Sequence, residues 1–290
     1  MVRFQVRTDL ALEARESFEE DGVEIRGVAI EETYDEERDI RITKVCIETE
    51  NGARAMGKPV GTYLTLEAPR LSDPDEGYHR EVSKKLAEVL KDLLGTEEEK
   101  SVLVVGLGNR EVTPDALGPE AVNHLMITRH VVREYGKAAL GKEKVHLVSG
   151  IVPGVMAQTG METFEIIKGI IDETQPDVVV AIDALAARST KRLNRTIQLS
   201  DAGIHPGSGV GNHRNSLTRE SLGVPIVAIG VPTVVDAATI IYDATGDRNA
   251  ISPNLNGMFV TPKNIDETIK QLSFTLSEAL NMAFQLSEEA

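Results

Sequence analysis

The sequence predicts an α/β protein: a mostly parallel central sheet flanked by helices, with a small, partly antiparallel β region near the N-terminal end. Three observations predict it. Between residues 101 and 243, strand-like apolar runs at 101–105, 145–149, 177–182 and 224–230 alternate with helix candidates near 117–136, 160–174 and 233–243. The runs at 102–105 and 178–182 are apolar without alternation, as strands buried on both faces are. The earlier segments are instead short β-type runs separated by charged or Gly/Asn/Pro turns, the pattern of a small antiparallel sheet.

In chain order, residues 1–22 are polar and acidic, break at Gly22, and are expected to be loosely attached. Strands are expected at 23–30, 40–47 and 62–66, with turns at Asn51-Gly52 and Gly57-Lys-Pro59. After Ser72-Asp-Pro74 the period becomes helical. Val82, Leu86, Val89, Leu90, Leu93 and Leu94 share one face, and Gly95 stops the helix. A further strand is expected at 195–199. The last amphipathic helix, 264–286, follows Thr261-Pro262 and carries Asp266 and Glu267 in its first turn, where the helix dipole favours them. The segment 101–243 reads as one core, to which the strands of 23–66 add or beside which they pack.

At 290 residues the chain can bury a large core without covalent staples. Its one cysteine, Cys46, allows no intramolecular disulfide, and its alternating surroundings place it in a half-buried strand. A net charge of −15 argues against direct nucleic-acid binding and favours solubility or basic protein partners. The first ten residues lack the apolar core of a secretion signal, and no stretch approaches membrane-spanning length. A cytoplasmic protein that does not engage a membrane is expected.

The most informative segment is Val102-Leu-Val-Val-Gly-Leu-Gly-Asn109 followed by Val112-Thr-Pro-Asp-Ala-Leu-Gly-Pro119. Gly106-x-Gly108 after a strand resembles a phosphate-binding turn, but position 111 holds Glu111 where the third glycine belongs, and its carboxylate would repel a pyrophosphate. The glycines then serve as a sharp bend that presents Asp115 in a Pro/Gly-braced loop. A second apolar strand ends in Asp183, within Ala181-Ile-Asp-Ala-Leu-Ala-Ala-Arg188. Parallel strands open at one sheet edge, so Asp115 and Asp183 are candidates to converge, although either alone equally serves as a cap or turn residue.

Three more small-residue loops follow strands: Gly150 to Gly160, Asp201 to Asn212, and Gly230 to Asp236. Gly207, Ser208 and Gly209 in the second are candidates to let backbone amides approach a bound chain. His205 and Arg188 are candidate polar contacts, whereas Asp236 is set aside as a helix cap. If the two aspartates converge, both cannot ionise cheaply; the ionised one would deprotonate water and the protonated one donate to an amide carbonyl. The same acids with a histidine would alternatively hold a divalent metal that generates hydroxide. Spacing leaves both open, along with a ligand-binding protein that does no chemistry.

Taken together, these strings resemble the bacterial spore germination proteases, from about Val6 to the final helix. The set also includes Ile127-Thr-Arg-His130, Ile151-Val-Pro-Gly-Val-Met156, Gly203-Ile-His-Pro-Gly-Ser-Gly-Val-Gly-Asn212 and Pro232-Thr-Val-Val-Asp236. The resemblance implies an aspartic-type endopeptidase, with a core similar to that of phosphorylases and hydrogenase maturation endopeptidases. It would degrade small acid-soluble spore proteins in the spore core at germination. It implies Asp115 and Asp183 as the catalytic pair, no cofactor, no metal, and a homotetramer. It also implies self-processing: Arg7-Thr-Asp-Leu-Ala-Leu-Glu-Ala14 is similar to the family's cut sequence. The inferred cut is Asp9–Leu10, giving a 1–9 propeptide and a single 10–290 peptidase domain. Cleavage after an acid calls for a cationic partner, for which Arg188, Arg129 and His205 are the candidates. The leader and the stretch between Asp243 and Met258 are shorter than in Bacillus-type members.

Overall fold

The computed structural model describes residues 8–14, 26–205, 215–247, 251–255 and 257–285. Among them, the strands are β1 (Val28–Asp35), β2 (Ile40–Ile47), β3 (Gly61–Glu67), β4 (Ser101–Gly106), β5 (Leu147–Ile151), β6 (Val178–Ala187), β7 (Thr196–Ser200), β8 (Ile226–Asp236) and β9 (Phe259–Val260). The longer helices are α1 (Glu50–Met56), α2 (Glu76–Leu94), α3 (Leu117–Asn123), α4 (Arg129–Tyr135), α5 (Thr163–Thr174), α6 (Ala237–Thr245) and α7 (Ile265–Ala283).

All nine strands form one sheet, in the order β1-β2-β3-β7-β8-β6-β4-β5, with β9 alongside the end of β8. The parallel core is β8-β6-β4-β5. β1, β2, β3 and β7 extend it antiparallel, through pairs such as Leu64↔Leu199. The N-terminal strands therefore add to the main sheet. Helices cover both faces, as a parallel core buried on each side requires. On one face α2, α3 and α7 pack Leu86, Leu90, Leu117, Leu272 and Leu276 against Val104, Val180 and Ile229. On the other, Ile167 and Ile171 of α5 meet Leu103, Val105 and Val179.

Several boundaries differ from the sequence expectation for physical reasons. β1 begins at Val28, just after Gly27 turns with φ 81°; residues 23–25 of the expected strand lie outside the described residues. Charged, exposed Glu31 and Glu32 are tolerated in β1 because it is an edge strand. Asn51-Gly52 is no turn but part of α1, capped by the Thr49 hydroxyl accepting from Gly52 N at 3.1 Å. A Cβ on Gly52 would lie 2.9 Å from the Gly27 carbonyl oxygen, so glycine there serves close packing rather than bending. The helix expected at 117–136 is two, α3 and α4, separated near the buried Thr128, whose hydroxyl bonds the β5 backbone.

The largest departures concern β6 and β8. β6 does not end at Asp183 but continues to Ala187, and β8 runs to Asp236 where a helix was expected from 233. Pro232 fits inside β8 because it faces Leu185, next to the register shift between Leu185 and Ala186. Asp236 then caps α6, accepting from Thr239 N at 3.0 Å.

His146 gives the fold a pH dependence. It is buried, its Nδ1 accepts from Lys100 N at 3.1 Å, and among the described residues its Nε2 has no well-formed hydrogen bond. Desolvation holds its pKa below the ordinary 6.5. Below 6.5 the unfolded chain binds the proton more readily, so stability falls as pH drops from 6.5 through the lower folded-state value. His146→Gln, which keeps an acceptor for Lys100, is expected to flatten that acid limb in urea titrations; an unchanged limb would contradict the assignment.

Candidate active site

The site lies where β4 stops and β6 does not. Gly106 is the last β4 residue paired with β6, opposite Ile182, and Leu107 N adds one more bond to the Ile182 carbonyl at 2.8 Å. The chain then turns at Gly108, with φ 117°, and returns as a single 3₁₀ turn, Thr113–Asp115. A Cβ on Gly108 would sit 2.0 Å from the Asp115 carbonyl oxygen, so only glycine lets the loop close on itself. Asp115 is then fixed by Asn109 N donating to its Oδ2 at 2.8 Å, while Thr233 on β8 donates its hydroxyl to Pro114 O at 2.7 Å.

Asp183 follows Ile182 on β6, opposite Gly230 of β8, and is buried with its Oδ1 accepting from Ala184 N at 2.9 Å. The start of α3 is pressed against the same point: a Cβ on Gly118 would lie 2.4 Å from the carbonyl oxygens of both Ile182 and Leu107. That close approach brings the Asp115 loop onto β6. Both aspartates line one cavity of about 380 Å³, together with Asp9, His205, Pro114 and Thr233.

Asp9 is there because residues 8–14, the described part of the segment expected to be loosely attached, are docked on the sheet. Leu10, Ala11 and Leu12 are buried. Leu10 packs with Leu185, Ala187 and Val235, and Ala11 with Val45, Ile47, Met56 and Tyr63. Polar contacts supply the register. Asp9 N donates to Ala186 O at 3.0 Å, and Ala186 N donates back to Asp9 Oδ2 at 2.9 Å. The Gln198 amide accepts from Ala11 N at 2.6 Å and donates to Asp9 O at 3.2 Å. Buried Glu13 accepts from Arg188 N at 2.7 Å, Ser189 N at 3.0 Å and the Thr8 hydroxyl. A charged residue hides these contacts from a reading by polarity: Glu13 is buried because backbone donors past the end of β6 take its charge.

The other expected contacts divide. His205 lines the cavity beside Asp9, and desolvation and the Lys58 ammonium push its pKa down while Asp9 opposes them. Arg188 meets the segment through its backbone N–H. Arg129 opens α4 and does not line this cavity. Gly207, Ser208 and Gly209 lie outside the described residues. Lys58, expected only as part of the turn at 57–59, also reaches this segment. Its Nζ donates to the carbonyls of Asp9 at 2.8 Å and Thr8 at 3.3 Å. The signal in the sequence was faint: a lysine one residue beyond the glycine C-cap of a helix that was itself missed. Among the described residues, no group of three or more His, Cys, Asp or Glu side chains is disposed to hold a metal ion.

The family model described as germination protease matches residues 6–246. The chain belongs to the germination protease family. A germination protease of Caldanaerobacter subterraneus subsp. tengcongensis is 46% identical over 97% of this chain and 94% of its own length. One from Clostridium perfringens is 44% identical over 97% and 96%. One from Bacillus cytotoxicus is 49% identical over 83% of this chain and 66% of its own length. A solved [NiFe] hydrogenase maturation protease, HycI from Thermococcus kodakarensis KOD1, shares 21% identity over 66% of this chain and 98% of that chain, at a TM-score of 0.34. As a member of a peptidase family, the chain is a protease, and none of its described helices is long and apolar enough to cross a membrane.

The close approach at Gly118 is testable. Gly118→Ala forces a methyl group against two backbone oxygens and is expected to cost about 1–3 kcal/mol or more. It should also lower peptidase activity beyond what lost folding explains. Urea unfolding and activity per folded molecule check this; wild-type values for both would contradict the packing described.

Proposed function

We propose that the chain is a self-processing endopeptidase that begins the degradation of small acid-soluble spore proteins at germination, in the cytoplasm of the spore core, working as a homo-oligomer. Asp115 and Asp183 are the acid–base pair, residues 1–9 the propeptide, and residues 10–290 the peptidase. The observation that carries this reading is the position of Asp9. The residue before the inferred cut lines the same cavity as both aspartates, and its backbone is held in register by Ala186 and Gln198.

In this reading one carboxylate takes a proton from water, and the water oxygen attacks the Asp9 carbonyl carbon. The other carboxyl is protonated and supplies a proton to the reacting amide. Two acids facing one cavity divide in this way because the first charge opposes the second. Acidic specificity before the cut is supported by Ala186 N on the Asp9 carboxylate, with the Lys58 ammonium supplying positive potential nearby. The segment docked at the edge of the cavity before cleavage also supports a silent precursor, since an intact chain then competes with substrate for its own site.

Asp115→Asn and Asp183→Asn are each expected to lower both self-cleavage and cleavage of an added small acid-soluble spore protein by about 10²–10⁴-fold. Mass spectrometry of the chain and gel analysis of the substrate check this, with and without chelator. Normal self-processing in either variant would remove the pair from the mechanism. Loss of wild-type cleavage on chelation, with recovery on added metal, would favour a metal-dependent peptidase.

A further inference from the structure

The Asp9 carbonyl oxygen is the atom on which negative charge collects if the Asp9–Leu10 bond is attacked. Two side-chain donors converge on it: Lys58 Nζ at 2.8 Å and Gln198 Nε2 at 3.2 Å. They come from separate parts of the fold. Lys58 stands just after α1, where Gly57 ends the helix in the left-handed conformation and Lys58 N bonds back to Ala53 O. Gln198 lies on β7 and is itself pinned by accepting from Ala11 N at 2.6 Å. A second cavity, about 70 Å³, lies on this side of Asp9 and shares Asp9, Leu185 and His205 with the larger one.

We propose that Lys58 and Gln198 form the oxyanion-stabilising site of this protease, and that Lys58 is a catalytic residue. The proposal rests on Asp9–Leu10 being the self-cleaved bond, and goes beyond that reading by separating the electrophile from the aspartate pair. Water bonds to the Asp9 carbonyl carbon as its proton passes to the ionised aspartate. The charge that develops on the Asp9 oxygen meets the Lys58 ammonium and the Gln198 N–H. On collapse the C–N bond breaks, and the protonated aspartate gives its proton to the Leu10 nitrogen. The two carboxyl groups thereby exchange protonation states, and no other reactant is needed.

The electrostatics agree with the geometry. An ammonium held out of bulk water acts on a developing charge more strongly than it would in solvent. Burial pulls the Lys58 pKa down, while the carboxylates of Asp9 and Glu13 oppose that pull. The docked segment thus helps keep charged the group that acts on it. A purely structural role for Lys58 is the competing account, because it also bonds the Thr8 carbonyl at 3.3 Å.

The experiment compares the full chain as wild type, Lys58→Met and Gln198→Met. The first-order appearance of a Leu10 N-terminus is followed by mass spectrometry from mildly acidic to neutral pH. Hydrogen exchange at the Ala11 and Arg188 amides reports whether the segment stays docked. Lys58→Met is expected to slow cleavage about 10²–10³-fold, with the Arg188 and Ala11 amides as protected as in wild type. Gln198→Met is expected to slow it less, with Arg188 still protected. A Lys58→Met rate within about threefold of wild type, or a fall matched by lost protection at Arg188, would overturn the proposal. A wild-type chain that never yields Leu10 as N-terminus would instead overturn the reading of the cut bond, whatever the variants do.

Discussion

The structure depends on a mismatch in strand length. β4 ends at Gly106, opposite Ile182, but β6 and β8 stay paired through Ala187 and Val235. Beyond Ile182 the backbone of β6 has lost a strand neighbour, and its polar groups need other partners. Asp9 supplies one through Ala186, and Glu13 takes the N–H groups of Arg188 and Ser189 just past the strand. The step between the two strands also opens the cavity that Asp115 and Asp183 share. Site and segment are two results of one geometric fact.

The docked segment joins parts of the fold that β3 and β7 also connect. Leu10 belongs to the cluster at the ends of β6 and β8, and Ala11 to that beneath β2 and α1. Between them Gln198 reads the backbone on either side of Leu10 with a single amide. Burying Glu13 is costly in isolation, and the structure offsets this with several donors on one carboxylate, the Arg192 guanidinium lying 3.6 Å away. Such an anchor is directional: it specifies where residues 8–13 lie more than it adds to net stability.

The parallel core was legible in the sequence because its strands are buried on both faces and carry little but Val, Ile, Leu and Ala. Asp183 was legible because it interrupts such a run with a charge, and Asp115 because it stands in the Pro/Gly-braced loop that follows one. Less was readable where glycine and charge had second meanings. Gly52 and Gly118 permit close approach rather than turning, so α1 read as a bend, and Lys58 behind it as an ordinary turn residue. Pro232 looked like the end of a strand because a register shift is invisible in one sequence. The acidic leader resembled a free terminus because partners for Asp9 and Glu13 come from residues nearly 180 positions away.

The inferred cut divides a segment that is fastened on both sides. Asp9 is held by Ala186, whereas Leu10, Ala11 and Glu13 are buried and belong to the body of the chain. Under the proposed function, breaking that one bond would release the leader and leave the downstream half joined to the enzyme as a tethered product. A short tether keeps such a group at an effective concentration of roughly millimolar, however dilute the enzyme. An incoming chain that lies across β6 in the same way must outcompete residues 10–13 for Gln198 and the end of β6. Under the proposed cut, the new terminus would set the affinity threshold for incoming chains and favour those that match it residue by residue.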